Sequence, residues 1–201
     1  MKTFCIYIVE PVSVLLAQRC VNSGKEWGVD VELFDGVQGG EWEDLPLIFE
    51  ESASDGLMGC FSSHYKLWEM CSKGNEHFVI LEHDAVIQKS FDNLPRGDML
   101  EVCQPEKNWV NSVEGEYRVG KGGHPRGTTG YMVSPKQAGK FVELARTTKL
   151  NHADIWMGGA IQRIHAILPY PVRCEGEWHS TIHSHPSLRE KRKIIRKYVK
   201  P

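Results

Sequence analysis

The sequence contains no C-x-x-C pair, although six cysteines (Cys5, Cys20, Cys60, Cys71, Cys103 and Cys174) are spread along its 201 residues. Without that spacing neither a zinc-ribbon framework nor a thioredoxin-like motif can be built. So few thiols in a chain of this size do not suggest a disulfide framework either, and they read as reduced packing residues. No apolar run approaches the roughly 20 residues of a membrane span. The start, Met1-Lys2-Thr3 followed by Phe4-Cys5-Ile6-Tyr7-Ile8-Val9, is too short and strand-like for a secretory signal, so the expectation is a cytoplasmic protein with no transmembrane segment. Internal repeats and low-complexity segments are also missing. Neither H-E-x-x-H nor G-x-x-x-x-G-K-[ST] occurs, which removes a zincin metallohydrolase and leaves the glycine-rich Gly120-Lys121-Gly122-Gly123-His124 as a loop rather than a phosphate cradle.

What the chain does have is apolar material for one sizeable core, since 41% of its residues are hydrophobic. Its net charge of −2 hides an asymmetry. From Arg189 to Pro201 there are seven basic residues (Arg189, Lys191, Arg192, Lys193, Arg196, Lys197 and Lys200) against Glu190 alone, so this tail carries +6 and residues 1–188 carry −8. The expected organisation is one domain over 1–188 and a basic tail over 189–201. Such a tail suits a nucleic acid, an anionic membrane surface, the acidic body itself, or solvent alone.

Residues 4–9 read as a short buried strand, Val12 to Trp27 as a helix, and Val29 to Phe34 as a second strand entered through Gly28. That order predicts an α/β unit with a parallel pair. Ser52-Ala53-Ser54-Asp55 offers helix caps before a pattern from Leu57 to Ser72, in which Leu57, Cys60, Phe61, His64, Leu67, Trp68 and Cys71 recur at helical spacing. His64 therefore lies on the apolar face, where a hydrogen-bonded core histidine and a functional one are both open readings. His77 to Leu81 reads as a strand apolar on both faces, hence central in a sheet covered by helices. Asp98 to Cys103 and Thr129 to Val133 read as further strands. Ser134-Pro135 opens a helix to about Arg146, and Asp154 begins another over Ile155 to His165, which Leu168-Pro169-Tyr170-Pro171 stops.

Three pieces converge on one chemistry. Glu82 and Asp84 interrupt the apolar run V-I-L-E-H-D-A-V-I (Val79 to Ile87), a costly placement unless something compensates their charge. They leave the carboxyl end of a central strand, where α/β proteins bind ligands. Asp154 stands at a helix start, where it could equally be a cap. His179, His183 and His185 crowd seven positions, either as ligands or as a solvated loop. Two hard carboxylates suit Mg²⁺ or Mn²⁺, and one imidazole beside them tilts the choice toward Mn²⁺.

Taken in order, these segments resemble a known family. The helix Gly56-Leu57-Met58-Gly59-Cys60-Phe61-Ser62-Ser63-His64-Tyr65-Lys66-Leu67-Trp68-Glu69, followed by Phe78 to Val86, is similar to the G-x-x-G-C-x-x-S-H-x-x-x-W helix and L-E-D-D-V strand end of the family 25 glycosyltransferases. That family includes lipooligosaccharide and collagen galactosyltransferases. Gly127-Thr128-Thr129-Gly130-Tyr131-Met132-Val133-Ser134-Pro135-Lys136-Gln137-Ala138 looks like its G-T-x-x-Y-x-I-S-x-x-G-A segment, and Leu33-Phe34-Asp35-Gly36-Val37-Gln38-Gly39 like its F-x-A-V-x-G region.

The resemblance implies a single GT-A-type (Rossmann-like) α/β/α domain with a mixed central sheet. It implies an inverting transferase that takes a sugar from a nucleotide-sugar donor, by default a UDP-sugar, with Mn²⁺ or Mg²⁺. Asp84 would hold the metal and Glu82 would lie near the ribose or sugar side of the same motif. Ser63 and His64 would approach the donor or pack beneath it, with Thr128 and Thr129 alongside. Asp154 would be the base, and His183 or His185 would complete the metal shell. The acceptor would be a glycan, or a nucleic acid such as a hydroxylated DNA base held by the basic tail. Two departures stand out: His83 occupies the middle position of the acidic triplet, and Pro11-Val12-Ser13-Val14 replaces an arginine cluster. They motivate the alternative of a nucleotide-sugar-binding or interaction protein of the same fold without turnover.

Overall fold

Phe78, Val79, Ile80 and Leu81 are all buried, so the strand they form must be covered on both faces. The computed structural model describes residues 1–38, 40–104, 115–119, 127–161 and 164–174. In chain order its elements are β1 (Lys2–Tyr7), α1 (Pro11–Glu26), β2 (Val31–Asp35), a 3-10 turn (Glu41–Asp44), β3 (Ile48–Phe49) and α2 (Asp55–Ser72). Then come β4 (Phe78–Glu82), β5 (Ala85–Ile87), β6 (Met99–Glu101), β7 (Cys103–Gln104), β8 (Gly115–Val119) and β9 (Gly130–Val133). The described part ends with α3 (Pro135–Ala145), β10 (Lys149–Leu150), α4 (Ala153–Ala160), β11 (Ile164–Leu168) and β12 (Val172–Cys174).

A seven-stranded sheet in the order β2-β1-β4-β9-β6-β11-β8 runs through the molecule. β1 pairs in parallel with both β2 and β4, whereas β9 is antiparallel to β4 and β6, so the sheet is mixed. Side chains alternate between its faces, as strand geometry requires. Phe4, Ile6, Phe78, Ile80, Tyr131 and Val133 meet α2, α3 and α4 in an aromatic cluster. Cys5, Val79, Leu81, Leu100 and Met132 face the other way, toward α1 and a small sheet ordered β5-β12-β7. The predicted parallel pair and the central, doubly covered strand are both present.

Local chemistry sets these elements. Ser54 caps α2 by accepting from Leu57 N at 3.3 Å, and Ser134 caps α3 by accepting from Gln137 N at 3.1 Å, with Pro135 in the first turn. Gly59 lets α2 approach the segment after β2, because a Cβ there would come within 2.5 Å of the Val37 carbonyl oxygen.

Two expectations need correction. The helix read over Ile155 to His165 is α4, which ends at Ala160, and His165 lies in β11 between β6 and β8. Gly158 and Gly159 weaken the helix there, and two neighbouring strands claim the following residues. The single strand read over Asp98 to Cys103 divides instead, β6 joining the large sheet and β7 the small one, with Val102 bonding to both Gly130 and Val172 at the crossing. None of the six cysteines is in a disulfide, and among the described residues no helix is long and apolar enough to cross a membrane. The loop 120–124, the histidines His179, His183 and His185, and the tail 189–201 lie outside the described residues.

Candidate active site

Glu82 is the last residue of β4 and shares the face of Phe78 and Ile80, which points it at α2. There His64, fully buried on the apolar face of α2, places Nε2 3.3 Å from Glu82 Oε1. Thr128 Oγ1 donates to the same oxygen. Register explains how Thr128 gets there. β9 runs antiparallel to β4 with Leu81 opposite Gly130, so the residues just before β9 lie beside the carboxyl end of β4, and Glu82 N donates to Thr129 O at 3.0 Å. Gly130 keeps this approach open, since a Cβ would fall 2.8 Å from Cys103 Cβ. Burial pushes the Glu82 carboxyl up, but the hydrogen bond and electrostatic interaction with His64, then the Thr128 hydrogen bond and the nearby His83, outweigh it and hold it below the ordinary value.

Asp84 differs. The chain turns at His83 and Asp84, and Asp84 reaches the opposite layer, where Cys174 Sγ donates to Oδ2 at 3.2 Å and Arg19 donates to its backbone carbonyl at 3.4 Å. Oδ1 is buried and has no hydrogen-bond partner among the described residues. Burial and then the charge of Glu82 raise this carboxyl above the ordinary value. A buried carboxylate oxygen without a donor is a costly feature that a cation would relieve. The hard oxygens of Asp84 fit a divalent ion of the Mg²⁺ or Mn²⁺ type, and the charge of Glu82 is felt there.

A second group of possible ligand atoms lies close by: one each from Cys60, His64 and Glu82, all within 4.8 Å of one another. Burial, followed by the charges of Glu82 and Asp154, raises the Cys60 thiol well above its ordinary value, which works against the thiolate that a metal requires.

The remaining residues singled out by sequence are arranged as follows. Ser63 is buried, donates to Gly59 O at 2.7 Å and accepts from Val37 N at 2.8 Å, so its hydroxyl ties α2 to the segment after β2. His64 is the hydrogen-bonded core histidine and touches the site through Glu82. Asp154 is not the cap of α4. His152 holds that position and makes no side-chain capping bond to the helix, and Asp154 sits in the first turn with Oδ1 accepting from Ile155 N at 2.9 Å. Its charge is felt at Cys60, on the same side as Glu82. Sequence reasoning missed Tyr131 as a partner of His64 (2.9 Å) and Cys174 as a partner of Asp84. Tyr131 was visible inside the G-T-T-G-Y segment, whereas nothing local marks Cys174, 90 residues from Asp84.

Comparison with known proteins bears on this geometry. Residues 25–114 match the model of glycosyltransferase family 25 (LPS biosynthesis protein). A glycosyltransferase 25 family member of Aedes aegypti is 26% identical over 167 residues, which is 68% of this chain but 27% of that protein. The chain thus spans about a quarter of that relative's length. Among solved structures, an active-site mutant of LgtC superposes with a TM-score of 0.52 at 11% identity, over 100% of this chain and 97% of that one. Galactosyltransferase LgtC in complex with donor and acceptor sugar analogs gives 0.51 at 10% identity with the same coverage. At such identity the likeness is one of fold. Residues 25–114 are thus similar to the glycosyltransferase 25 family, and the chain shares the α/β fold of LgtC, built here on a mixed central sheet.

Proposed function

We propose that the chain transfers a sugar from a nucleotide-sugar donor, a UDP-sugar by default, to a hydroxyl of a glycan acceptor. The observation that carries this reading is the buried Oδ1 of Asp84, which meets no hydrogen-bond partner among the described residues, beside Glu82, at the carboxyl end of β4. Asp84 would hold a divalent ion with Glu82 alongside, and His183 or His185 would complete the shell. When bound, that ion supplies positive charge against the departing nucleotide diphosphate. Glu82, fixed by His64 and Thr128, orients the ribose or sugar side of the donor. Ser63 acts through the segment after β2 that it anchors, and Thr129 through the backbone bond that aligns Thr128.

Asp154 is the proposed base. Its carboxylate takes the proton of the acceptor hydroxyl as that oxygen bonds the anomeric carbon and the bond to the diphosphate breaks on the opposite face. A single displacement of this kind inverts the anomeric centre. Oδ1 is held by the Ile155 amide, which leaves Oδ2 to receive the proton.

The test is UDP release from a panel of UDP-sugars, with Mn²⁺ or Mg²⁺ and glycan acceptors, using the chain and its Asp84→Asn and Asp154→Asn variants. Release by the parent chain, lost in both variants and giving a product of inverted configuration, supports the reading. No binding and no release from any nucleotide sugar overturns it. Binding without release from any donor would favour the non-catalytic alternative, to which the commitment of Glu82 Oε1 within the protein lends an argument. A nucleic-acid acceptor rests on the tail 189–201 alone, and a glycan is preferred.

A further inference from the structure

Trp68, Tyr131 and His64 are buried together against the sheet, and the protons among them can be counted. An indole N–H only donates, so Trp68 Nε1, 2.8 Å from the Tyr131 hydroxyl, makes that hydroxyl an acceptor. The hydroxyl has one proton left to place. Its hydrogen-bond neighbour among the described residues besides Trp68 is His64 Nδ1, at 2.9 Å. If Nδ1 carried a proton instead, the Tyr131 oxygen would accept twice and its own proton would be buried without an acceptor, which folded interiors avoid. Nδ1 is therefore the acceptor, and the ring proton sits on Nε2, which faces Glu82 Oε1 at 3.3 Å. Thr128 donates to the same oxygen.

Resting on the donor-site reading given above, we infer that Trp68 and Tyr131 are positioning residues. By imposing the Nε2–H form on His64 they determine which oxygen of Glu82 the protein holds, and so present Oε2 to the donor. The order runs Trp68 N–H to Tyr131 oxygen, Tyr131 O–H to His64 Nδ1, His64 Nε2–H to Glu82. The same order occupies Nε2 with a proton, so the Cys60, His64 and Glu82 group is set to orient a carboxylate rather than to bind a metal.

Nitrogen chemical shifts of the full ¹⁵N-labelled chain, with His64 assigned by its loss in His64→Gln, test the proton order directly. The expected result is an unprotonated Nδ1 and a protonated Nε2. A protonated Nδ1, alone or together with Nε2, overturns the inference. In Tyr131→Phe, which keeps the ring and removes the hydroxyl, the Nδ1 shift should move to that of a lone pair without a donor. UDP binding in the presence of Mn²⁺ should weaken about ten-fold. Unchanged His64 shifts in that variant overturn the relay, and unchanged UDP affinity overturns the positioning role. If UDP fails to bind the parent chain, the donor reading falls and the positioning role falls with it, while the shifts decide the proton order separately.

Discussion

Glu82 and Asp84 stand two residues apart in the same motif, yet they belong to opposite sides of the sheet and to opposite energetic situations. Glu82 faces the aromatic layer, where Phe61, Trp68, Phe141 and Trp156 pack ring to ring and the His64–Tyr131–Trp68 chain ends on its Oε1. Asp84 faces the mostly aliphatic and thiol layer, and one of its oxygens is buried with no partner among the described residues. One carboxylate is held by an imidazole and a hydroxyl; the other has a single thiol donor, on Oδ2, among the described residues. The contrast teaches that an acidic motif read as a unit in sequence can divide its work, one residue being oriented scaffold and the other ligand.

The largest effect expected from breaking this contrast is on the aromatic side. Trp68→Ala removes the fully buried ring that stacks on Trp156 at 5.7 Å and also the donor to Tyr131, and should lower stability by about 3–5 kcal/mol in chemical denaturation. Val79→Ala, on the opposite face, should lose roughly 1.5–3 kcal/mol in the same assay.

Next come the carboxylates, with opposite signs. Glu82→Gln leaves donors without their charged acceptor and should destabilise by about 1–3 kcal/mol. Asp84→Asn removes a buried charge and should leave the ion-free chain at least as stable as the parent, while transfer falls by about 100-fold or more.

Acid and base titrations sharpen the same point. The lowered carboxyl of Glu82 contributes stability that is present above the ordinary carboxylate value and lost as pH falls through its folded value. The raised carboxyl of Asp84 favours the folded chain while it is protonated, and that contribution is lost as pH rises through its folded value. The stability gap between Glu82→Gln and the parent should therefore narrow in acid. The advantage of Asp84→Asn should grow as pH rises through the folded value of Asp84 and then level off. Denaturation midpoints measured across that range check both slopes. The smallest effect is Cys174→Ala, which removes one weak thiol donor from Asp84 and should cost a few tenths of a kcal/mol in the same denaturation assay.

Much of this was legible in the sequence because it depends on short-range pattern. The unbroken apolar run ending at Glu82 marked a central strand, the helical spacing from Leu57 to Cys71 placed His64 inward, and the G-T-T-G-Y segment placed Thr128 next to the acidic motif once β9 paired antiparallel with β4. What was not legible depends on partners distant in sequence. No local signal shows that Ile164–Leu168 is a strand between β6 and β8, because that choice is made by its neighbours. Nor could spacing reveal that Ser63 spends its hydroxyl on Gly59 and Val37, or that Asp84 meets Cys174. The two carboxylates looked alike in sequence because their difference lies in the partners that the fold supplies.

The most direct test of that difference is the melting temperature of Asp84→Asn and the parent chain, each with and without Mn²⁺ and UDP. The account predicts that the ion-free variant melts no lower than the parent, and that Mn²⁺ with UDP raises the parent alone. An equal rise in the variant, or a lower melting temperature without the ion, would contradict it.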